Sequence, residues 1–398
     1  MSNLQKWRED TPACQEVIHF NNAGAALMPR PVIDVMKAHL ELEASAGGYE
    51  AAAIAKQSIN GFYQSIATLL NTKPENIAYL NNATDAYNRA LSSVPFNKGD
   101  YLLTTNDDYV SNQIAFFQLV KNQGVQLIRA ENLPEGGVDP QSVRELVQRY
   151  RPKLVAVTQM PTNSGLIQDV VAIGQICKEF DTLYIVDACQ SVGQIPVDVE
   201  EIHCDFLSAT FRKFLRGPRG AGFLYVSDKA LQMGLEPIFL DLHSARWTAT
   251  NAYQPVADAK RFEIWERPFA LLLGSKVAVD YALEVGLSTI ESRVVELSDY
   301  CRTKLQQIPG LKVLDKGSRL GGIITLHLEG FGPEELHSLI QHEGINTSIN
   351  WKEYARIDFD QKQVDWALRV SPHYYNTHQE VDSLTGFVES LKFKRKKV

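Results

Sequence analysis

The sequence predicts an α/β protein, with a large unit built on a mostly parallel sheet and a smaller α/β unit towards the C-terminus. Three observations carry this expectation. Short apolar runs rich in β-branched residues, among them 183–186 (LYIV) and 223–226 (FLYV), read as strands buried on both faces. Segments with apolar residues at helical spacing lie between such runs, giving the strand–helix alternation of a parallel sheet. The length, 398 residues, is that of about two ordinary domains.

Each element has its own justification. Residues 29–44 place Val32, Val35, Met36 and Leu40 on one helical face, with prolines at the start, where a helix tolerates them. A second helix is expected over 54–70. Residues 77–91 (IAYLNNATDAYNRAL) switch from strand to helix, with Thr84 near the helix start. A helix N-terminus offers unpaired N–H groups and a favourable dipole to a phosphate; the alternative is a threonine cap with no ligand. Strands follow at 101–105, 125–130 and 154–160, the last two joined by a helix at 141–150. The third ends in the turn cluster MPTNSG, which contains Asn163.

The strand at 183–186 delivers Asp187 to its carboxyl end, where open α/β sheets place ligands. Lys213 comes after the next strand, 205–209 (DFLSA), in the Gly- and Arg-rich loop TFRKFLRGPRGAG. Each residue alone has an ordinary reading. An Asp there caps a helix or turn, and a Lys among arginines is solvated or anion-binding charge. Together they suit pyridoxal 5′-phosphate (PLP): the lysine bonds covalently to the aldehyde, and the acid keeps the pyridine nitrogen protonated. Past Val226 the alternation fades. Residues 241–254 read as an extended loop, 268–285 as a helix leading into the smaller unit, and 322–328, 334–341 and 367–370 as strand, helix and strand. Val381, Leu384, Phe387, Val388 and Leu391 share one face of a last helix.

Composition excludes several classes. A chain that is 44% hydrophobic and 22% charged, with a net charge of −7, is an ordinary globular protein without the basic footprint of nucleic-acid or anionic-membrane binding. The basic end KFKRKKV is short and reads as a solvated tail. The first residues, MSNLQKWREDTPAC, carry charges where a signal peptide needs its apolar core, and no stretch approaches the ~20 apolar residues of a membrane span, so the cytoplasm is expected. Cys14, Cys177, Cys189, Cys204 and Cys301 are scattered and read as reduced thiols. His337 and His342 do not share a helix face, and no metal site is expected. GPRGAG does not fit GxGxxG, and no phosphate-binding GxxxxGK[ST] loop is present.

Five pieces in order, FNNAGAALMPRPV, DACQSVGQIPVDV, TFRKFLRGPRGAGFLYV, RFEIWE and LRVSPHYYNTHQEVD, resemble the class V aminotransferase and cysteine desulfurase family of fold-type I PLP enzymes. The resemblance spans roughly residues 20–391. It implies a mostly parallel seven-stranded sheet in a large domain, 21–262, and a small domain formed by 1–20 and 263–398. It implies PLP as cofactor, a small amino-acid substrate and a homodimer. By the same resemblance Ala83, Thr84 and Thr210 grip the cofactor phosphate, and Tyr109 replaces the family's histidine on the pyridine face. Asn163 and Gln190 bond the cofactor's phenolic oxygen, Asp187 pairs with its ring nitrogen, and Lys213 carries it and shuttles the α proton. Asn163 also neighbours the substrate carboxylate, which Arg369 fixes. Arg212 departs from the family's histidine before the lysine, and Arg216 and Arg219 read as anion-facing, subunit-facing or surface charge. No role in a neighbouring subunit's phosphate site carries over to 264–266 (IWE).

The resemblance also bears on the reaction. Desulfurases of this family use a nucleophilic cysteine on the loop ahead of the substrate arginine. Residues 344–368 contain none. This disfavours desulfurisation and leaves β-elimination, transamination or epimerisation. The loop 210–226 and RFEIWE look most like the hercynylcysteine sulfoxide lyases, so the expectation is C–S cleavage of a cysteine conjugate to pyruvate and ammonia, with an aminotransferase or an epimerase as alternatives.

Overall fold

The computed structural model describes residues 3–395, with side chains described as far as Leu391. The tail KFKRKKV, read from sequence as solvated, lies outside the residues whose side chains are described. The larger sheet has seven strands: β1 Ile77–Leu80, β2 Tyr101–Thr104, β3 Gln126–Arg129, β4 Leu154–Thr158, β5 Leu183–Asp187, β6 Phe206–Thr210 and β7 Gly222–Val226. Their order across the sheet is β1-β7-β6-β5-β4-β2-β3. Only β7 runs antiparallel to its neighbours, β1 and β6; the remaining pairs are parallel.

β5 shows why these runs are apolar throughout. Tyr184 and Val186 enter the core on one face, whereas Leu183 and Ile185 enter a second core on the other. A strand covered on both sides has no position for alternating polar residues. Helices Val170–Glu179 and Lys56–Leu70 supply residues to the first core, and Ala83–Ser93 supplies the second.

A second sheet is antiparallel. Its strands, β8 Leu311–Val313, β9 Ile324–Leu328, β10 Ser348–Trp351 and β11 Trp366–Val370, lie in the order β8-β9-β11-β10. Its core includes Leu326, Leu368, Leu384 and Val388, the last two from helix His378–Arg395. Phe20 is fully buried in this core. Ile18–His19 pair in parallel with Ile345–Asn346, so the beginning of the chain is stitched to its C-terminal part.

Two expectations need correction. Residues 241–254 are not an extended loop: Ala245–Ala249 and Ala252–Pro255 form an antiparallel hairpin. Its residues are mostly exposed, so no alternation of apolar and polar side chains marked it in the sequence. Residues 54–70 are not one helix, because Gly48–Ile54 ends before Lys56–Leu70 begins. Among the described residues, no helix is long and apolar enough to cross a membrane.

Candidate active site

The register of the parallel strands sets Thr158 beside Asp187 at the carboxyl ends of β4 and β5, with Ser208 of β6 on the other side of Asp187. Asp187 is buried. Its Oδ1 accepts the Cys189 amide at 2.9 Å and its Oδ2 accepts Asn112 Nδ2 at 3.1 Å. Both oxygens are thereby fixed.

Lys213 sits in the turn that follows β6. That turn is closed by the Arg216 amide donating to Lys213 O at 2.9 Å and the Gly217 amide donating to Phe211 O at 2.8 Å. Gly193 lets the Asp187 turn approach it: its φ is +91°, and a Cβ would fall 2.5 Å from Leu215 N and Phe214 C. Only glycine meets both demands. Burial pushes the Lys213 amine below its usual range, opposing the attraction of Cys189 and Asp187. A larger neutral fraction makes that amine nucleophilic.

The cavity at these strand ends is lined by Ala83, Thr84, Tyr109, Asp187, Gln190, Thr210 and Lys213. Asn82 caps helix Ala83–Ser93 by accepting the Asp85 amide at 2.9 Å. The amides of Ala83 and Thr84 have no acceptor within the helix. Gly222 permits this approach, because a Cβ there would meet Asn82 C at 2.6 Å and Ala83 N at 2.9 Å. Thr210 Oγ1 donates to Ala221 O at 3.2 Å, and Gln190 Oε1 is buried with no partner among the described residues.

Two expected residues stand beside the cavity wall. Asn163 Nδ2 donates to Asp358 Oδ2 at 2.6 Å, and Lys362 Nζ reaches the same oxygen at 2.6 Å. Arg369 donates to Thr162 O at 3.4 Å and Asn21 Oδ1 at 3.3 Å, and its Nε is buried with no partner among the described residues. Burial, then repulsion from Arg212, holds Arg369 down at about 10.

Sequence reasoning missed Asn82, Thr158, Met160, Thr162 and Cys189 in the cavity lining, and it read Arg212 only as a departure from a pattern. Adjacency to Ala83, Asn163 and Lys213 was the available signal for three of these. Asp358 had none. Arg216 is neither surface nor ligand-facing: it is 1% exposed, donates to Leu27 O at 2.9 Å and Tyr374 Oη at 2.6 Å, and stacks on Tyr375. RFEIWE lies away from the cavity lining. Its Glu263, fully buried, accepts from Tyr63 Oη and the Tyr79 amide, each at 2.8 Å, and pairs with Arg267 at 2.8 Å.

The donor set suits PLP. A buried amine of lowered basicity, a fixed carboxylate, free helix-start amides and, among the described residues, an orphaned amide oxygen and two arginines with no carboxylate partner match an aldehyde, a ring nitrogen, a phosphate and a phenolic oxygen. With the sheet order, this defines a PLP-dependent enzyme of fold type I.

Comparison with known proteins narrows the class. The family model described as aminotransferase class-V matches residues 18–384. A probable cysteine desulfurase of Pyrococcus abyssi is 27% identical over 393 residues, 96% of each chain. A probable hercynylcysteine sulfoxide lyase of Mycobacterium tuberculosis is 26% identical over 392 residues, 98% of this chain and 93% of the other. The structure of apo cysteine desulfurase from Thermococcus onnurineus superposes with a TM-score of 0.90 at 24% identity, over 98% of both chains. The chain belongs to the class-V aminotransferase family.

These findings overturn the expected reaction. The matched proteins are mostly cysteine desulfurases, with a hercynylcysteine sulfoxide lyase among them, which contradicts a lyase reading that disfavoured desulfurisation. The error was to let one missing thiol outweigh the whole chain. A sulfur atom can leave a site without passing through a cysteine of the same chain.

Proposed function

We propose that this enzyme cleaves the Cβ–S bond of a cysteine-type amino acid and leaves alanine, as a desulfurase does. The observation that carries the reading is the buried, weakly basic Lys213 in one cavity with Asp187, beside the partly unpartnered guanidinium of Arg369. The similarity to cysteine desulfurases supports the choice of reaction. PLP, when bound, supplies an electron sink for the bonds at the substrate's α carbon.

This chain's residues do the rest. Arg369 holds the substrate carboxylate in a two-pronged fork, with Asn163 beside it. Lys213 carries the cofactor, takes the α proton and later returns protons to carbon. Asp187 would pair with the pyridine nitrogen, its fixed negative charge acting in a desolvated site. Ala83, Thr84 and Thr210 would hold the phosphate, Gln190 and Asn163 would hydrogen-bond the phenolic oxygen, and Tyr109 would pack against the ring. For cysteine itself, a thiolate from outside attacks the substrate sulfur. An S–S bond forms, Cβ–S breaks, the electron pair stays on Cβ, and a proton converts that carbon into the methyl group of alanine.

In this reading the site lies between a large domain, 21–262, and a small one, 1–20 with 263–398, of a cytoplasmic homodimer. The side chains of Phe239 and Trp247, 84% and 83% exposed, offer an apolar surface for the second copy. The test is to incubate the PLP-loaded enzyme with L-cysteine and dithiothreitol. Equal amounts of alanine and sulfide are expected; pyruvate and ammonia in their place would refute the reading.

A further inference from the structure

A second buried carboxylate stands one side chain away from Asp187, outside the cavity lining. Asn112 Nδ2 donates to Asp187 Oδ2 and to Asp108 Oδ1, each at 3.1 Å. An amide nitrogen carries two hydrogens, so each acid receives one. With the amide turned over, its oxygen would face two carboxylates, and the acids therefore fix which way Asn112 points. Asn112 and Asp108 are 3% and 6% exposed, and neither lines the cavity.

Asp108 is the more heavily anchored of the two acids. Its Oδ1 also accepts the Tyr109 amide at 2.7 Å and the Thr158 hydroxyl, and its Oδ2 accepts Gln113 Nε2 at 2.8 Å and Thr104 Oγ1 at 2.9 Å. Five donors fill both oxygens, which suits an ionised carboxylate; a proton on either oxygen would displace one of them. Burial pushes the Asp108 carboxyl up, and the donors Thr158, Asn112 and Thr104 oppose it. Among the described residues neither acid forms an ion pair; amides and hydroxyls bind them.

Two acids held this close out of water repel each other, and apolar residues in their place would hold the same strand ends together without that penalty. What the pair supplies is direction. The Cys189 amide holds one oxygen of Asp187, and Asn112, itself set by Asp108, holds the other. A lysine or arginine at position 112 would fix that oxygen equally well but would cancel its charge. The neutral amide fixes it and leaves the charge free to act on a cation in the cavity. Asp108 also binds the Thr158 hydroxyl and the Tyr109 amide, so one side chain orients three residues of the cavity wall.

We propose that Asp108 is a positioning residue for the reaction: through Asn112 it aims Asp187 at the cofactor's ring nitrogen and so keeps that nitrogen protonated without touching it. This rests on the reading above, in which Asp187 pairs with the nitrogen.

The experiment loads the enzyme with PLP isotopically labelled at the ring nitrogen and records that nitrogen's resonance by solid-state NMR. The proteins are wild type, Asp108→Asn, Asn112→Leu, Asp187→Asn and the double variant of Asp108→Asn with Asp187→Asn. Alanine formation from L-cysteine with dithiothreitol gives kcat and KM for each. Wild type should show a protonated nitrogen and Asp187→Asn an unprotonated one. Asp108→Asn and Asn112→Leu should each move the resonance part of the way and lower kcat by about 10- to 100-fold, with KM changed less than about twofold, as for a group slightly out of place. Asn112→Leu leaves Asp108 its other donors and serves if Asp108→Asn fails to fold. In the double variant, Asp108→Asn should add less than about twofold to the loss caused by Asp187→Asn, because it acts through that residue.

A nitrogen that stays protonated in both Asp108→Asn and Asn112→Leu would overturn this proposal alone. So would losses that multiply in the double variant, since Asp108 would then merely support the fold. An unchanged resonance in Asp187→Asn would overturn the pairing on which the proposal rests as well. The resonance does not depend on which substrate is turned over, so it decides between these outcomes even where no alanine forms.

Discussion

Gly193→Ala tests how the lysine and the acid are brought together. At φ +91° an alanine is strained by about 1–2 kcal/mol. Its Cβ would also lie 2.5 Å from Leu215 N and Phe214 C, and those are backbone atoms that cannot rotate away. Relieving the clash requires a shift of the loop bearing Lys213, at the ~1–3 kcal/mol typical of overpacking. The total is about 2–5 kcal/mol, or a drop in Tm of roughly 4–20 °C for a unit of this size. Because the loop that moves carries the lysine, turnover should fall by more than stability alone explains. A displacement of ~1 Å at a reacting group can cost about 100-fold. The assay pairs thermal unfolding with alanine formation and with the cofactor's visible band at a temperature where the variant is fully folded. Wild-type Tm and turnover together would show that the two turns do not press on each other, and the argument would fail.

Other perturbations have equally definite outcomes. Asp187→Asn should leave the protein folded and able to take up PLP but lower kcat by about 100-fold or more, because an amide cannot supply the negative charge; unchanged kcat would remove the role. Asp107 is raised to about 6, mainly by burial and then by Asp358. Its folded state therefore binds a proton more tightly than the unfolded chain, so this group's cost is absent below about pH 4, grows as pH rises, and is complete above about pH 6. Asp107→Asn should then be more stable than wild type by ~2–3 kcal/mol at pH 7 and equal to it near pH 4, as denaturant titrations at the two values would show. Glu263→Ala removes one acceptor from several buried donors and strands Arg267, so a loss of about 3–5 kcal/mol is expected in denaturant unfolding, whereas a loss under 1 kcal/mol would refute the hub.

The inner strands of the larger sheet were legible because burial on both faces leaves an unmistakable composition, and Asp187 was legible because it ends such a strand. The hairpin at 245–255 was not, since exposure on both sides removes the alternation that marks a half-buried strand. Asn163 could be placed in a turn from sequence, but its partner Asp358 lies 195 positions away and only the fold joins them. Arg216 shows the opposite failure. Followed by Gly and Pro, it read as anion-facing, subunit-facing or surface charge, yet it is enclosed by Tyr281, Tyr374 and Tyr375, whose rings replace a counter-ion. RFEIWE was singled out as a family piece, and the four side-chain and backbone donors on Glu263 give it a structural purpose.

The reversed strand β7 dictates an order of assembly. β1 hydrogen-bonds to β7 in the sheet, so Ile77–Leu80 emerge from the ribosome long before Gly222–Val226, their partner, has been synthesised. Until then the helix that opens at Ala83 has no Gly222 to rest against, and its exposed amides have no fixed direction. The same delay holds more strongly for Ile18–His19, which wait for Ile345–Asn346. Pairings so distant along the chain are slow to close. The nascent protein therefore carries the apolar Ile77–Leu80 unpaired until Gly222–Val226 has been made, and the helix start that rests on Gly222 is fixed only after that point.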